Sequence, residues 1–257
     1  MFRRSKALVK SIELFLLEKI SKEELEDSVF ITGYQGFGMV GYLTSRHISL
    51  ELKLRKIGFI RTRYFPEATL YKKDLGLVFP FELYYGKIDG KKLLVLVNHG
   101  VPHVRERTSY AEFVARWLKE IGVSKAILVG GLDPAIKERE DEKYRWIPLS
   151  GYQAKLDAPL LEEKHVIGPL ALTMMFVEAH RIPGVAIFAY TELYRPDPRA
   201  SAVATSVIAD MLGLKIDTSK LLEEASKIEA VEEKKEELMK AIEGEVKQTK
   251  REHPMYM

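Results

Sequence analysis

The stretch ITGYQGFGMVGYLTSRH, residues 31–47, carries G-x-G-x-x-G at Gly36, Gly38 and Gly41. VFITG (29–33) before it predicts a strand, and GMVGYLTSRHISLELK after it predicts a helix. Strand, glycine turn and helix in that order are the setting of a dinucleotide-binding turn, which also needs an acid about twenty residues on to hold a ribose. Here Glu51 falls too early, inside the helix, and Glu67 lies beyond the next strand, which ends in Arg61 and Arg63. An arginine suits a 2′-phosphate, so the missing acid leaves a nucleotide- or nucleoside-binding enzyme using the turn 33–41 as an open alternative. Against it, a further glycine, Gly33, and the bulky Tyr34, Gln35 and Phe37 crowd the turn. We read Gly33, Gly36, Gly38 and Gly41 as a structural glycine turn that packs helix on strand, with glycine wherever the chain needs positive φ.

Outward from the turn, the chain alternates strands and helices. KIGFIRT (56–62), KLLVLVN (92–98), KAILVGG (125–131) and GVAIFAY (184–190) read as strands, several of them apolar enough to be covered on both faces. FELYYG (81–86) leads into a hairpin turning at Asp89-Gly90. TSYAEFVARWLKEIG (108–122) sets Tyr110, Phe113, Val114, Trp117, Leu118 and Ile121 on one helical face and stops at a glycine. PLALTMMFVEAHRI (169–182) and DPRASAVATSVIADMLG (197–213) are further helices, the second with an acidic cap and a proline in its first turn. This alternation predicts a mostly parallel sheet with helices on both faces.

Composition narrows the function. The chain has 257 residues, 46% apolar, with a net charge of +3 and its charges interspersed. No basic stripe suited to many phosphates is present, so we expect no nucleic-acid partner. No run reaches the eighteen or so apolar residues that span a bilayer, and IELFLLEKI near the start is broken by charges with no small-residue cleavage site after it. We expect a soluble, cytoplasmic chain with no membrane contact. Cysteine is absent, which removes disulfides, thiol catalysis and thiolate metal sites.

Enzyme constellations fail. There is no G-x-S-x-G elbow and no phosphate loop. His99 and His103 are four apart, but Gly100 and Pro102 forbid the helix that would align them on a metal. The acids of DPAIKEREDEK (133–143) read as a solvated face, Asp197 as a helix cap with Arg199 paired nearby, and His180 as a helix C-terminal residue. We name no catalytic residue, cofactor or metal.

GYQGFGMVGYL, AILVGGLDP (126–134) and above all GPLALTMMFVEAHRIPGVAIFAYTELYRPDPRASAVATSVIADMLGLKIDTSKLLEEA (168–225) resemble the PAC2 family, the proteasome assembly chaperone 2-like proteins, and its archaeal members in particular. The likeness runs over roughly 28–226; residues 141–164 match no motif, and RHISLELKLRKIG carries more charge than a typical first helix. The resemblance implies a Rossmann-like, three-layer α/β/α core that works as a binding scaffold with no catalytic centre. It also implies self-association, a paralogous PAC2-like chain as a further partner, and proteasome α subunits as clients.

We divide the chain into an N-terminal extension (1–27), a PAC2-like core (28–216), an amphipathic, charge-dense C-terminal helical segment (217–250) and a tail (251–257). The long charged helix is expected to project from the core or to pack on a partner. The tail ends Met255-Tyr256-Met257, similar to the hydrophobic–tyrosine–any-residue (HbYX) terminus of proteasome activators and assembly chaperones. Such a terminus docks by its carboxylate, its phenol and an apolar side chain in a pocket between neighbouring α subunits. Pro254 stops any helix before it.

Overall fold

The computed structural model describes residues 12–153, 156–231 and 234. β1 (Ile12–Leu16) and the single turn α1 (Lys22–Leu25), closed by a capping box between Ser21 and Glu24, lead into β2 (Val29–Gly33). The glycine turn and α2 (Val40–Glu51) follow, then β3 (Arg55–Thr62). A small hairpin of β4 (Leu70–Lys72) and β5 (Gly76–Val78) precedes a long one of β6 (Phe81–Ile88) and β7 (Lys91–Asn98). Asp89 and Gly90 take φ of 47° and 80° at its tip, the left-handed pair that matches the twist of a two-residue hairpin. Then come α3 (Arg107–Ile121), β8 (Lys125–Leu132), β9 (Tyr144–Leu149), α4 (Pro169–Ala179), β10 (Gly184–Tyr190) and α5 (Pro198–Leu212). A C-terminal helix occupies 219–231.

The main sheet has the order β1-β3-β6-β7-β2-β8-β10-β9. β7, β2, β8 and β10 pair in parallel, while β1–β3, β3–β6, β6–β7 and β10–β9 are antiparallel. The expectation of a mostly parallel, Rossmann-like sheet is therefore corrected: the sheet is mixed and its neighbouring pairs are mostly antiparallel. The hairpin explains why. A crossover helix is what makes successive strands parallel, and α2 does carry the chain from β2 to β3. The tight turn then sends β6 back between β3 and β7, converting one would-be parallel contact into two antiparallel ones. β1 and β9 close the two edges, each running against its neighbour.

Each central strand is buried on both faces. Phe30, Leu94, Leu96, Leu128 and Phe188 pack under α3 and α4, whose Tyr110, Val114, Leu118 and Val177 face them. Ile31, Val95, Val129 and Ile187 point the other way, onto Val40 and Ile48 of α2 and Ala204 and Ile208 of α5. Burying each large side chain contributes about 1.5–3 kcal/mol. Glycines in left-handed conformation, Gly122 and Gly213, end α3 and α5.

The expected long charged helix is also corrected, to a modest one. Over 219–231 it lies on its own core, with Leu221 and Ala225 buried and Arg199 gripping Glu229 through two hydrogen bonds of 2.6 and 2.8 Å. Residue 234 aside, 232–250 lie outside the described residues. No helix among the described residues is long and apolar enough to cross a membrane.

Candidate functional site

The glycine turn ends β2 and begins α2. A Cβ on Gly33 would run into the Cα and carbonyl of Gly41, and a Cβ on Gly41 would run into the Val129 carbonyl of β8. Backbone therefore lies directly on backbone where α2 starts. Gly38 has φ of 57°, and the space beside its Cα is filled by the Thr191 side chain at the end of β10. Around Gly36, the first glycine of the G-x-G-x-x-G, a Cβ would meet nothing within 4 Å. In a dinucleotide turn the second glycine lets a pyrophosphate reach the backbone. Here Thr191 stands on that side of Gly38, an observation that weighs against the nucleotide-binding alternative.

Asp197 ties this turn to α5. Its amide donates to the Gly38 carbonyl (2.8 Å), and one carboxylate oxygen caps α5 by accepting from the Ala200 amide (2.9 Å). The other oxygen accepts from Thr191 Oγ1 (3.0 Å) and the Glu192 amide (3.2 Å). The segment TELYRPDPRA is thus a knot joining strand end, turn and helix start. Asp197→Ala, which removes three acceptor contacts, is expected to cost about 2 kcal/mol. Asp197→Asn, which keeps an amide oxygen for the cap, should cost less. Thermal unfolding of the two variants checks the order.

Buried hydrogen bonds fix the neighbouring strand ends. Asn98, closing β7, donates to Thr32 Oγ1 (3.0 Å) and the Gly33 carbonyl (2.9 Å), and accepts from the Tyr110 hydroxyl (2.8 Å). Gln35 Nε2 reaches the His99 carbonyl (2.8 Å). The Tyr34 hydroxyl pairs with Thr173 Oγ1 (2.9 Å) on α4, and burial pushes that phenol well above its ordinary pKa against the smaller, lowering effect of the bond. It stays neutral. Tyr34, Gln35 and Phe37 of the turn form one wall of a cavity at the carboxyl ends of β2, β8 and β10.

A second polar cluster lies on the α2 side of the sheet. Glu82, wholly buried on β6, takes Lys56 Nζ at 2.6 Å and the Phe79 amide at 3.0 Å on one oxygen. The other oxygen takes His99 Nε2 at 2.9 Å and the Tyr84 hydroxyl at 2.5 Å. Since a carboxylate only accepts, Nε2 of His99 carries hydrogen, and in the neutral ring Nδ1 accepts from the Tyr42 hydroxyl of α2 at 3.2 Å. Burial pushes the Glu82 carboxyl up, and its donors outweigh that and hold it below the ordinary glutamate value. A carboxylate saturated by four donors and shut from solvent is a structural anion, not a proton carrier.

Residues 30–236 match the PAC2 family, a span that takes in the turn, the Asp197 knot and the Glu82 cluster. The chain belongs to the PAC2 family. The Methanocaldococcus jannaschii protein MJ1210 is 24% identical to this PAC2-family chain over 237 residues, covering 86% of it and 90% of the relative. Among solved structures, Pyrococcus furiosus PbaA, described as an archaeal homolog of proteasome-assembly chaperone, aligns with a TM-score of 0.75 at 21% identity. That alignment covers 96% of this chain and 100% of PbaA. Pyrococcus furiosus PbaB, described as an archaeal proteasome activator, aligns at 0.73 and 21% identity over 88% of this chain and 99% of its own.

The three residues of the PAC2-family chain proposed as a docking motif, Met255, Tyr256 and Met257, lie outside the described residues. His99 and His103 part company: His99 enters the Glu82 cluster, while His103 stacks on Tyr64 with ring centroids 4.5 Å apart. Among the described residues no group of three or more His, Cys, Asp or Glu could hold a metal ion. Two features escape the sequence reading. Glu82 looks like a polar position of a hairpin strand, because Lys56 and His99 meet it only through the sheet. Glu142, read within a solvated acidic run, is buried with Arg145 at 3.1 Å and accepts from the Tyr190 hydroxyl at 2.8 Å.

Proposed function

We propose that this PAC2-family chain is a non-enzymatic, homo-oligomeric scaffold that docks on proteasome α subunits through Met255, Tyr256 and Met257. The observation that carries the reading is the likeness to PbaA and PbaB over nearly the whole of each chain. One is described as a homolog of an assembly chaperone and the other as a proteasome activator, and both descriptions concern the same particle. The Met255-Tyr256-Met257 sequence supplies the contact chemistry: an apolar side chain, a phenol and a carboxylate. A single such contact is small. Presented several times around a symmetric oligomer, of this chain alone or with a paralogous PAC2-like chain, it gains avidity when the tails reach their pockets together.

Surface plasmon resonance over immobilised α rings tests the contact with three variants. Deleting 255–257, Tyr256→Ala, and one residue added after Met257 should each weaken binding at least tenfold, the truncation of an anchor side chain in a small interface. None should change the melting temperature. Unchanged binding by all three would sink the tail contact, and a monomeric mass in sedimentation equilibrium at tens of micromolar would sink the oligomer.

A further inference from the structure

The cavity beside the glycine turn measures about 430 Å³, a size typical of small-molecule sites. Its wall is built by the turn, by the end of β8 at Val129–Leu132, by Phe188 of β10 and by the loop that enters α4. Most of these surfaces are apolar, and among the described residues no Asp or Glu contributes to the wall. At its mouth Phe37 is 42% exposed and Ile167 76%, so the cavity opens to solvent through apolar side chains.

Among the described residues, Arg107 and His165 are the basic side chains of this wall, and Arg107 stands with its terminal nitrogens unengaged. Arg107, in the first turn of α3, donates from Nε to the Pro102 carbonyl (3.1 Å) and enters no ion pair among the described residues. The adjacent carboxylate, Glu106, is turned away to accept from the Tyr64 amide at 3.2 and 3.3 Å. The two terminal guanidinium nitrogens therefore have no carboxylate partner, and a guanidinium fork matches a carboxylate with two parallel hydrogen bonds. The first turn of α4, with Gly168 as N-cap and no side-chain cap, belongs to the same wall and adds a partial positive charge.

We propose that this cavity binds a small apolar carboxylate, its body against Phe37, Leu132, Ile167 and Phe188 and its carboxylate on Arg107. Charge complementarity disfavours the cationic analogue, since Arg107 repels it and no carboxylate among the described residues of the wall pairs with it. A polyphosphate is disfavoured by the single guanidinium and by Thr191 beside Gly38. None of the wall residues is among those assigned to α-ring docking, and the proposal can fail or stand independently of that reading.

Decanoate and indole-3-acetate are the probes, with indole-3-acetamide and tryptamine as neutral and cationic controls of one shape. Methyl-resolved NMR titration of the full chain should place the shifts at Val101, Leu132 and Ile167. Either carboxylate is expected to bind, and indole-3-acetate to bind at least tenfold tighter than its amide, with tryptamine not bound. Arg107→Gln should erase the preference for acetate over acetamide, and Arg107→Lys should retain part of it, both with the cooperative thermal transition kept and lowered by at most a few degrees for the lost bond to Pro102. Binding by neither carboxylate, equal affinity for acetate and acetamide, shifts elsewhere, or an undiminished preference in Arg107→Gln would each overturn the proposal.

Discussion

Gly41→Ala is expected to destabilise the chain by about 3 kcal/mol, and Gly36→Ala to leave it nearly unchanged. The two glycines share one motif, but their surroundings differ. At Gly41 the new methyl would strike the Val129 carbonyl, with the Gly33 Cα and the Tyr34 amide close behind. All three are backbone of the central sheet and turn, and none can rotate away as a side chain would. Relief requires α2 to lift from β2 and β8, which loosens Val40 and Ile48 in the core. At Gly36 the backbone lies at φ −119° and ψ −149°, just past the extended region but not left-handed, and the methyl would meet nothing within 4 Å. Removing glycine's freedom from the unfolded chain offsets the small backbone cost of placing alanine there. With about 2–4 °C of melting temperature per kcal/mol for a chain near this size, the pair should separate by about 6–12 °C. A dinucleotide turn would need Gly36 for its tightness. Equal losses at both positions, or a larger loss at Gly36, would show that the turn is not organised by the contact of α2 with the sheet.

The elements of the central fold could be read because their signals are local. β2, β7, β8 and β10 are apolar runs, Gly122 and Gly213 close their helices, and Asp197 caps α5 three residues from the amide it accepts. Sheet direction is not local. The Asp89-Gly90 turn announces a hairpin, but only the placement of β6 between β3 and β7 turns that hairpin into a mostly antiparallel sheet. The edges were hidden for a different reason. β1 is half exposed, so its burial does not alternate cleanly, and it is held partly by Phe15 stacking on Phe59 at 5.3 Å. β9 contains Pro148, which argues against a strand except at an edge, where its missing amide hydrogen costs no ladder bond. The candidate site divides in the same way. The glycines and Asp197 stand out in sequence, whereas the cavity joins residues from the turn, α3, β8, β10 and the α4 entry, which only the folded sheet brings together.

Glu82→Ala should lower stability near neutral pH by about 3–5 kcal/mol, the cost of breaking a buried ion pair from one side. Lys56 would lose its 2.6 Å partner with its side chain only 14% exposed, and would retain the Leu75 and Leu77 carbonyls as acceptors. The His99 ring and the Tyr84 hydroxyl would lose an acceptor in the interior. Through Lys56 the cluster also holds the β4–β5 hairpin, and through His99 and Tyr42 it holds α2, so three elements loosen together. Glu82→Gln keeps an acceptor oxygen, removes the charge, and should cost less than alanine. The pH dependence separates this ionic cluster from simple packing. Because the folded-state pKa of Glu82 lies below its ordinary value of 4.5, the ionised carboxylate stabilises the fold at pH above that value. That contribution is lost as pH falls from about 4.5 through the depressed folded pKa, where the buried carboxylate must take up a proton. The stability gap between wild type and Glu82→Gln should therefore be constant from pH 7 to about pH 5 and narrow steadily below it. Circular-dichroism melts of both proteins from pH 7 to pH 3 measure this gap directly. A gap that stays constant down to pH 3 would mean that the side chain matters for its shape and hydrogen bonds, and not for its charge.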